Sequence, residues 1–515
     1  MSLVKSIATI GGWTVLSRIT GLMREMLVAR YLGAGMVADA FFVAFRFPNL
    51  FRSLFAEGAF NAAFVPLFAG KLEGEGPAAA RLFAEQCLAV LTWALLAFVA
   101  VMEMAMPWAM YLLAPGFDDV PGKMALASEL SRITFPYLLF ISMVSLQSGV
   151  LNSLGRFAAA AGTPVLLNLT SMAVLVALVP YTETPGHAMA WGVFVSGVAQ
   201  FLWLVFSVRK AGVALRVVRP RLSPEVRLML RRVVPGAVGA GVYQVNLLIN
   251  TVIASHVANG AVSYLNYADR VNQLPLGVVG IAIGTALLPL LSRQLRAGET
   301  AAALESQNRA MELGLLLTLP AALAFVTIAH PIIAVLFERG SFTASDTDAV
   351  AAALVAFALG LPAYVLVKVL TPSFFARHDT RTPVKVALLT MLVNVALNLL
   401  LMGPLKHVGM ALSTALAAWV NVAVLAWTLR RRGFFATDAR LRRRGPRILV
   451  ASLAMAAVLW GAAGALAPWL EAHGLRIAAL GLLVAIGALA YVLAAQLCGA
   501  AHLGELRAML RRRKA

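Results

Sequence analysis

Runs of about twenty apolar residues, nearly free of charge and separated by short polar breaks, recur along the whole chain. No other feature constrains its fold as strongly. A bilayer's hydrocarbon core is about 30 Å thick and takes about 20 apolar helical residues to cross. Fourteen stretches qualify, near 5–31, 36–68, 83–113, 126–153, 158–180, 187–208, 228–256, 264–291, 308–336, 347–375, 383–403, 407–429, 447–469 and 475–498. Lipid offers the backbone no hydrogen-bond partner, so each run predicts a helix, numbered here as spans 1–14. Composition agrees: 61% of the 515 residues are hydrophobic and 13% charged, whereas soluble domains carry about 25% charged residues. The reading is an all-α polytopic membrane protein.

Arg18, Arg24 and Glu25 interrupt the first apolar run, so it reads as a retained helix and not as a cleaved signal peptide. Cys87 and Cys498 sit in apolar segments and suggest neither a disulfide framework nor a metal site. The net charge of +20 raises the question of nucleic acid. Its location answers it. Arginine and lysine crowd residues 209–232, 430–447 and the C-terminal RRRKA, all on one face of a fourteen-span arrangement. The opposite loops APGFDDVPGK, YTETPGH, ANGAVS and FERGSFTASDTD hold only Lys123 and Arg339. The positive-inside rule then places both termini in the cytoplasm, and anionic lipid is a sufficient partner for the basic loops.

A weak internal repeat is visible. FNAAFVPLF (60–68) matches IGTALLPLL (283–291), placing Pro66 over Pro289 at an offset of 223. FPYLL (135–139) matches LPAYV (361–365), and RFAAAAGTPV (156–165) matches RHDTRTPV (377–384). The shift pairs spans 1–6 with spans 7–12 in the same orientation, as in parallel-repeat transporters with a midplane cleft. The expected organisation is an N-lobe (1–210), a cytoplasmic linker (211–225), a C-lobe (226–432), a basic linker (433–446), and spans 13–14 with a basic tail (447–515).

Charges inside spans are costly and face a bundle interior or a water-filled cavity. They concentrate on few spans. Span 1 holds Arg18, Arg24 and Glu25; span 2 holds Asp39, Arg46, Arg52 and Glu57, with Asn49 beside Pro48. Span 8 opens YADRVNQLP, giving Asp269, Arg270, Asn272 and Gln273; span 10 holds Lys368. On one straight helix Asp39, Arg46 and Glu57 share a face and Arg52 lies opposite, unless Pro48 bends the helix. Gly21, with Gly11 and Gly12, allows a similar interruption in span 1. Arg18, Arg24, Arg52 and Arg270 outnumber the nearby acids, which suits a multiply charged anion gripped by bidentate guanidinium groups. Structural pairing, such as Arg24 with Asp39 or Arg270 with Glu57, is the plainer alternative. Asp39 and Glu57 are expected to position arginines or gate. Arg46 and Lys368 either join the cavity or snorkel to an interface. There is no P-loop, no H-E-x-x-H and no nucleophile motif, so neither cofactor nor metal is expected.

The stretch ARYLGAGMVADAFFVAFRFPNLFRSLFAEGAFNAAFVPLF, with YADRVNQLPLGVVGIAIGTALLP and RHDTRTPVK, resembles the MurJ (MviN) family of lipid II flippases in the multidrug/oligosaccharidyl-lipid/polysaccharide exporter superfamily. The resemblance covers essentially the whole chain. It implies fourteen helices in two lobes and export of an undecaprenyl-diphosphate-linked peptidoglycan precursor across the bacterial inner membrane. It puts the family's cavity arginines, which would bind diphosphate and sugar, on Arg18, Arg24, Arg52 and Arg270, and its span-2 acid on Asp39; on the residue reading Glu25, Asp39, Asn49, Glu57, Asp269 and Lys368 are expected to support the cavity or gate. Gly21 and Pro48 are the hinges expected from the residues themselves, and by the resemblance spans 13 and 14 would cradle the lipid tail. Glu25 stands where the family usually has Asp, and Gln273 where an acid is common. The expected partners are lipid II and membrane lipids, with no nucleic acid and a monomer as the working unit. Coupling to membrane potential or a monovalent ion is open. A drug or ion antiporter of the same superfamily is the alternative, though a cation pump would want acids where this chain has arginines. A membrane-embedded polymerase would need larger loops.

Overall fold

The computed structural model describes residues 3–53, 59–216, 218–472 and 474–501. These form helices α1 (Leu3–Leu32), α2 (Met36–Phe51), α3 (Ala59–Gly74), α4 (Pro77–Leu113), α5 (Lys123–Thr134), α6 (Tyr137–Ser153), α7 (Phe157–Leu178), α8 (Pro185–Lys210) and α9 (Pro224–Ser255). They continue with α10 (Ala261–Arg296), α11 (Thr300–Phe337), α12 (Ala344–Ala358), α13 (Leu361–Phe375), α14 (Arg381–Arg431), α15 (Ala439–Ala465), α16 (Ala467–Glu471) and α17 (Arg476–Leu497). No strand occurs among the described residues. Nine helical segments among them are long and apolar enough to cross a membrane by length and composition. Large apolar side chains point outward, among them Met104 (78% exposed), Leu112 (79%) and Trp460 (76%). Such a surface suits lipid and not water.

Span 2 does not keep one helix type among its described residues, and 54–58 lie outside them. α2 ends at Phe51, a π-helical turn follows at Arg52 and Ser53, and α3 begins at Ala59. Pro48 explains the weak point, because it cannot donate to the carbonyl of Ala44 four residues earlier. That carbonyl accepts instead from the Thr134 hydroxyl at 3.1 Å, so the break leaves no buried acceptor unmet. Spans 11 and 12 join into the 51-residue α14. A straight helix of that length would reach about 77 Å. It turns at Lys406, whose φ of 49° and ψ of −132° are not helical. α15 begins at Ala439, inside the stretch expected to be a linker.

Packing divides the chain into two compact units, Met1–Ser263 with Arg339–Phe342, and Tyr264–Glu338 with Thr343–Ala515. In the first, α7 lies against α1 and α8, and α9 packs on α3 and α4. One end of its core is a stack of phenylalanines: Phe60, Phe64 and Phe68 follow one another at helical spacing and Phe83 joins from α4, with ring centroids 5.5–5.6 Å apart. The turn at 339–342 is stitched to the end of α1 through main chain, with the Ser341 amide donating to the Arg30 carbonyl at 2.8 Å. Glycine is required on both sides. A Cβ on Gly340 (φ +62°) would lie 2.3 Å from the Arg30 carbonyl oxygen, and one on Gly33 (φ +64°) 2.5 Å from that of Ser341.

In the second unit α11 packs on α12, α13 and α15, and α15 on α17. Tyr491 of α17 donates to the Leu316 carbonyl of α11 at 2.6 Å. Glu312 of α11 is buried and takes Arg309, Arg440 and Arg444 at 2.8, 3.1 and 2.7 Å, fastening the start of α15 to α11.

Both units break a long apolar span at matched places, between α5 and α6 and between α12 and α13. The same helix-ending turn also recurs. Gly155 and His378, 223 residues apart, both have positive φ (71° and 61°). After each, an amide reaches back five residues, Arg156 to Leu151 at 2.9 Å and Asp379 to Phe374 at 3.0 Å. The offset equals that between Pro66 and Pro289, but it sets Arg156 against Asp379, two residues beyond the Arg377 with which the sequence match pairs it.

Candidate functional site

The first unit holds most of the expected site. α1 is unbroken through Gly21, which meets Asn168 of α7; the Asn168 amide donates to the Ser17 carbonyl and the Thr20 hydroxyl at 3.2 and 3.1 Å. The interruption expected at Gly21 is therefore absent in this conformation. Arg18 is exposed, one and a half turns from Arg24, which is 8% exposed. Arg24 pairs with its neighbour Glu25 at 2.7 Å and lies over the Phe45 ring at 6.0 Å. Its Nε is buried with no hydrogen-bond partner among the described residues. Glu25 thus neutralises part of this guanidinium and orients it, while the Nε–H keeps unspent capacity to donate.

Asp39 is fully buried, and among the described residues its ion-pair partner is Lys123 and not an arginine. Lys123 donates to it at 2.7 Å, the Gly260 amide at 2.7 Å, the Ser263 amide at 2.8 Å and the Ser263 hydroxyl at 2.6 Å. Lys123 also reaches Asn259 at 2.9 Å and lies 4.2 Å over the Phe117 ring. A carboxylate with four donors, one of them charged, is a fastening. Its partners among the described residues are therefore not the arginines it was expected to position. Arg46 does not snorkel: its Nη1 donates to Thr251 of α9 at 2.6 Å. Asn49 accepts from Arg52 Nε at 2.7 Å, so the residue beside Pro48 sets the arginine that follows the break. Glu57 lies outside the described residues.

In the second unit Arg270 and Asp269 sit half-buried on α10, and Gln273 donates its amide to Asp269 one turn earlier. Gln273 therefore works as a holder of the acid. Lys368 lies across Gly280 of α10; a Cβ there would be 2.8 Å from Nζ and 2.9 Å from Cδ. Near the turn at 376–379, Arg296, Arg377, His378 and Arg432 line a cavity with Asp379. Thr382 and then Arg432 hold the Asp379 carboxyl well below the usual range by hydrogen bonding to its charged form.

The family model for the lipid II flippase MurJ matches residues 28–494. The chain belongs to the MurJ family. Among MurJ relatives, a probable lipid II flippase of Rhizobium tropici is 44% identical, covering 100% of this chain and 98% of its own length. One from Rhizobium meliloti is 46% identical over 99% and 97%, and the lipid II flippase MurJ of Burkholderia cenocepacia 37% over 89% and 90%. A solved MurJ in an inward closed conformation superposes with TM-score 0.78 at 25% identity, covering 95% of this chain and 98% of that one. An inward-facing MATE transporter of the MOP superfamily shares the fold, with TM-score 0.69 at 13% identity over 81% and 95%. The MurJ membership makes this a multi-pass membrane transporter of the MOP fold.

Within that MurJ frame, the residue that sequence reasoning passed over is Lys123. It was counted as a loop charge, yet it is 1% exposed. The available signal was its setting: a lone lysine after two aspartates in a loop expected to face outward, which otherwise avoids basic residues. Thr134 and Thr251 carried no signal, because a threonine inside an apolar helix usually bonds its own backbone.

Proposed function

We propose that the chain flips lipid II, the undecaprenyl-diphosphate-linked disaccharide-pentapeptide, from the cytoplasmic to the outer leaflet of the bacterial inner membrane. What supports this is kinship with lipid II flippases along nearly the whole chain. The observation in the molecule itself that carries it is Arg24, a buried guanidinium with an N–H left to give. Desolvated arginine is costly unless something repays it, and a diphosphate repays it with charge-assisted, bidentate contacts.

In this reading Arg18, Arg24, Arg52 and Arg270 bind the diphosphate and sugars. Glu25 and Asn49 orient their arginines, and Asp269, held by Gln273, stands beside Arg270. The isoprenoid tail stays in lipid along α15 and α17, so only the polar head crosses. Both lobes of the repeat take part, fourteen spans cross the membrane with both termini cytoplasmic, and the monomer is the working unit. Alternating access exposes the head first inside and then outside, and Asp39 with Lys123 fastens one state. No cofactor is required. A cationic set also feels the membrane potential, at about 2.3 kcal/mol per charge per 100 mV, which makes the potential or a monovalent-ion gradient the expected drive.

The test is a leaflet assay of lipid II in cells where this protein is the only flippase. Arg52→Ala and Arg270→Ala, at wild-type membrane levels, should each lower outer-leaflet lipid II about tenfold or more, the loss of a charged hydrogen bond. Normal lipid II export in either variant removes the arginines from the mechanism. Continued export after depletion of the protein removes the flippase reading itself.

A further inference from the structure

We propose that Glu129, Glu183 and His187 form a binding site for one divalent transition-metal ion of the Zn2+ class. The three come from different places in the first unit: Glu129 from α5, Glu183 from the connection between α7 and α8, and His187 from the first turn of α8. One carboxylate oxygen from each glutamate and a histidine ring nitrogen all lie within 4.8 Å of one another.

The histidine points to a ligand. His187 is 7% exposed and its Nε2 is buried with no hydrogen-bond partner among the described residues. That nitrogen faces Glu129 Oε1 at 3.4 Å. Good N–H···O bonds are about 2.7–3.2 Å long, so this separation is a poor hydrogen bond. It is a good edge of a coordination tetrahedron, because two ligands each about 2.0–2.1 Å from Zn2+ stand about 3.4 Å apart. A neutral ring nitrogen aiming its lone pair at a carboxylate oxygen is repulsive until a cation lies between them.

The other side of the ring fits as well. Thr184 occupies the N-cap of α8 but makes no capping bond; its hydroxyl lies 2.9 Å from His187 Nδ1. With the proton on Nδ1 the ring donates to Thr184 and turns the Nε2 lone pair to the glutamates. Metal-binding histidines are usually held in this way by a partner on the other nitrogen. Gly186 lets the first turn of α8 come this close: a Cβ there would lie 3.1 Å from Leu130 Cδ1, next to Glu129. One imidazole with two carboxylates suits zinc or a neighbouring first-row ion, while Mg2+ and Ca2+ prefer oxygen alone. Water completes the set. The ion would staple α5 to the start of α8 at the end assigned to the outside, and it does not depend on which lipid the protein carries.

The test uses the purified full chain in detergent, stripped with a chelator and titrated with Zn2+ by calorimetry and by thermal unfolding. Wild type should take up one equivalent and unfold at a higher temperature with Zn2+, while Mg2+ does neither. Glu129→Gln/Glu183→Gln should bind Zn2+ about tenfold more weakly or worse and lose the thermal shift, and Glu73→Gln should behave as wild type. Both glutamates are exposed, so the double variant keeps the test decisive even if His187→Ala fails to fold. No uptake by wild type overturns the site. Equal uptake by the double variant, or an equal response to Mg2+, marks adventitious binding and also overturns it.

Discussion

Asp39 and Lys123 show what a single buried charge can demand. Both side chains are almost wholly out of solvent, and a pair in that position is costly to break because the survivor keeps its charge and loses its partner. Asp39→Asn keeps shape and leaves the ammonium uncompensated. It should lower unfolding stability by about 3–5 kcal/mol, read from denaturant or thermal unfolding in detergent. Asp39→Asn/Lys123→Met should recover part of that loss; a double variant no better than the single one would show that the two charges are not coupled. At this scale the sequence was half legible. Period and spacing put Asp39 and Arg46 on one face of span 2, with Arg46 open between cavity and interface, and left Arg52 opposite them unless Pro48 bends the helix. They could not reveal that Lys123 and Thr251 would receive two of them, because those partners lie 84 and 205 residues away and are chosen by packing alone.

Among the elements, helices were legible and their interruptions only partly so. Pro48 marked the weak point in span 2, yet the α-helix runs through it to Phe51 and gives way to a π turn at Arg52, which pairs with Asn49, while Thr134 satisfies the carbonyl that Pro48 abandons. Lys406 was not legible at all. Its φ of 49° and ψ of −132° are suited to glycine, and a lysine held there stores about 1–3 kcal/mol of strain. Lys406→Gly should therefore raise the unfolding midpoint in detergent, against the usual cost of placing glycine in a helix, while Lys406→Ala should not. A lower midpoint for Lys406→Gly would mean that the lysine side chain contributes more than its backbone costs.

For the molecule as a whole, charge counting reads the basic loops only as topology signals, while some of those arginines carry structure. Arg440 and Arg444 lie in the stretch read as a linker, and with Arg309 they converge on Glu312. Arg309 also pairs with Asp438 at 2.7 Å, the residue that caps α15. Removing Glu312 would leave three guanidinium groups repelling one another where α15 is fastened. Glu312→Ala should speed trypsin cleavage at Arg440–Arg444 severalfold in limited proteolysis, whereas Glu305→Ala, an exposed partner of Arg309, should not. Equal cleavage in the two variants would make the cluster a surface feature and not a fastening.

The seam between the end of α1 and the turn at 339–342 has a different consequence. It is written in main-chain atoms, Ser341 amide to Arg30 carbonyl, with Gly33 and Gly340 pressed against it. Side-chain variation therefore has nothing to tune there. A saturation scan should find positions 30 and 341 permissive and positions 33 and 340 closed to every residue but glycine, so that this joint can be inherited or lost but hardly adjusted.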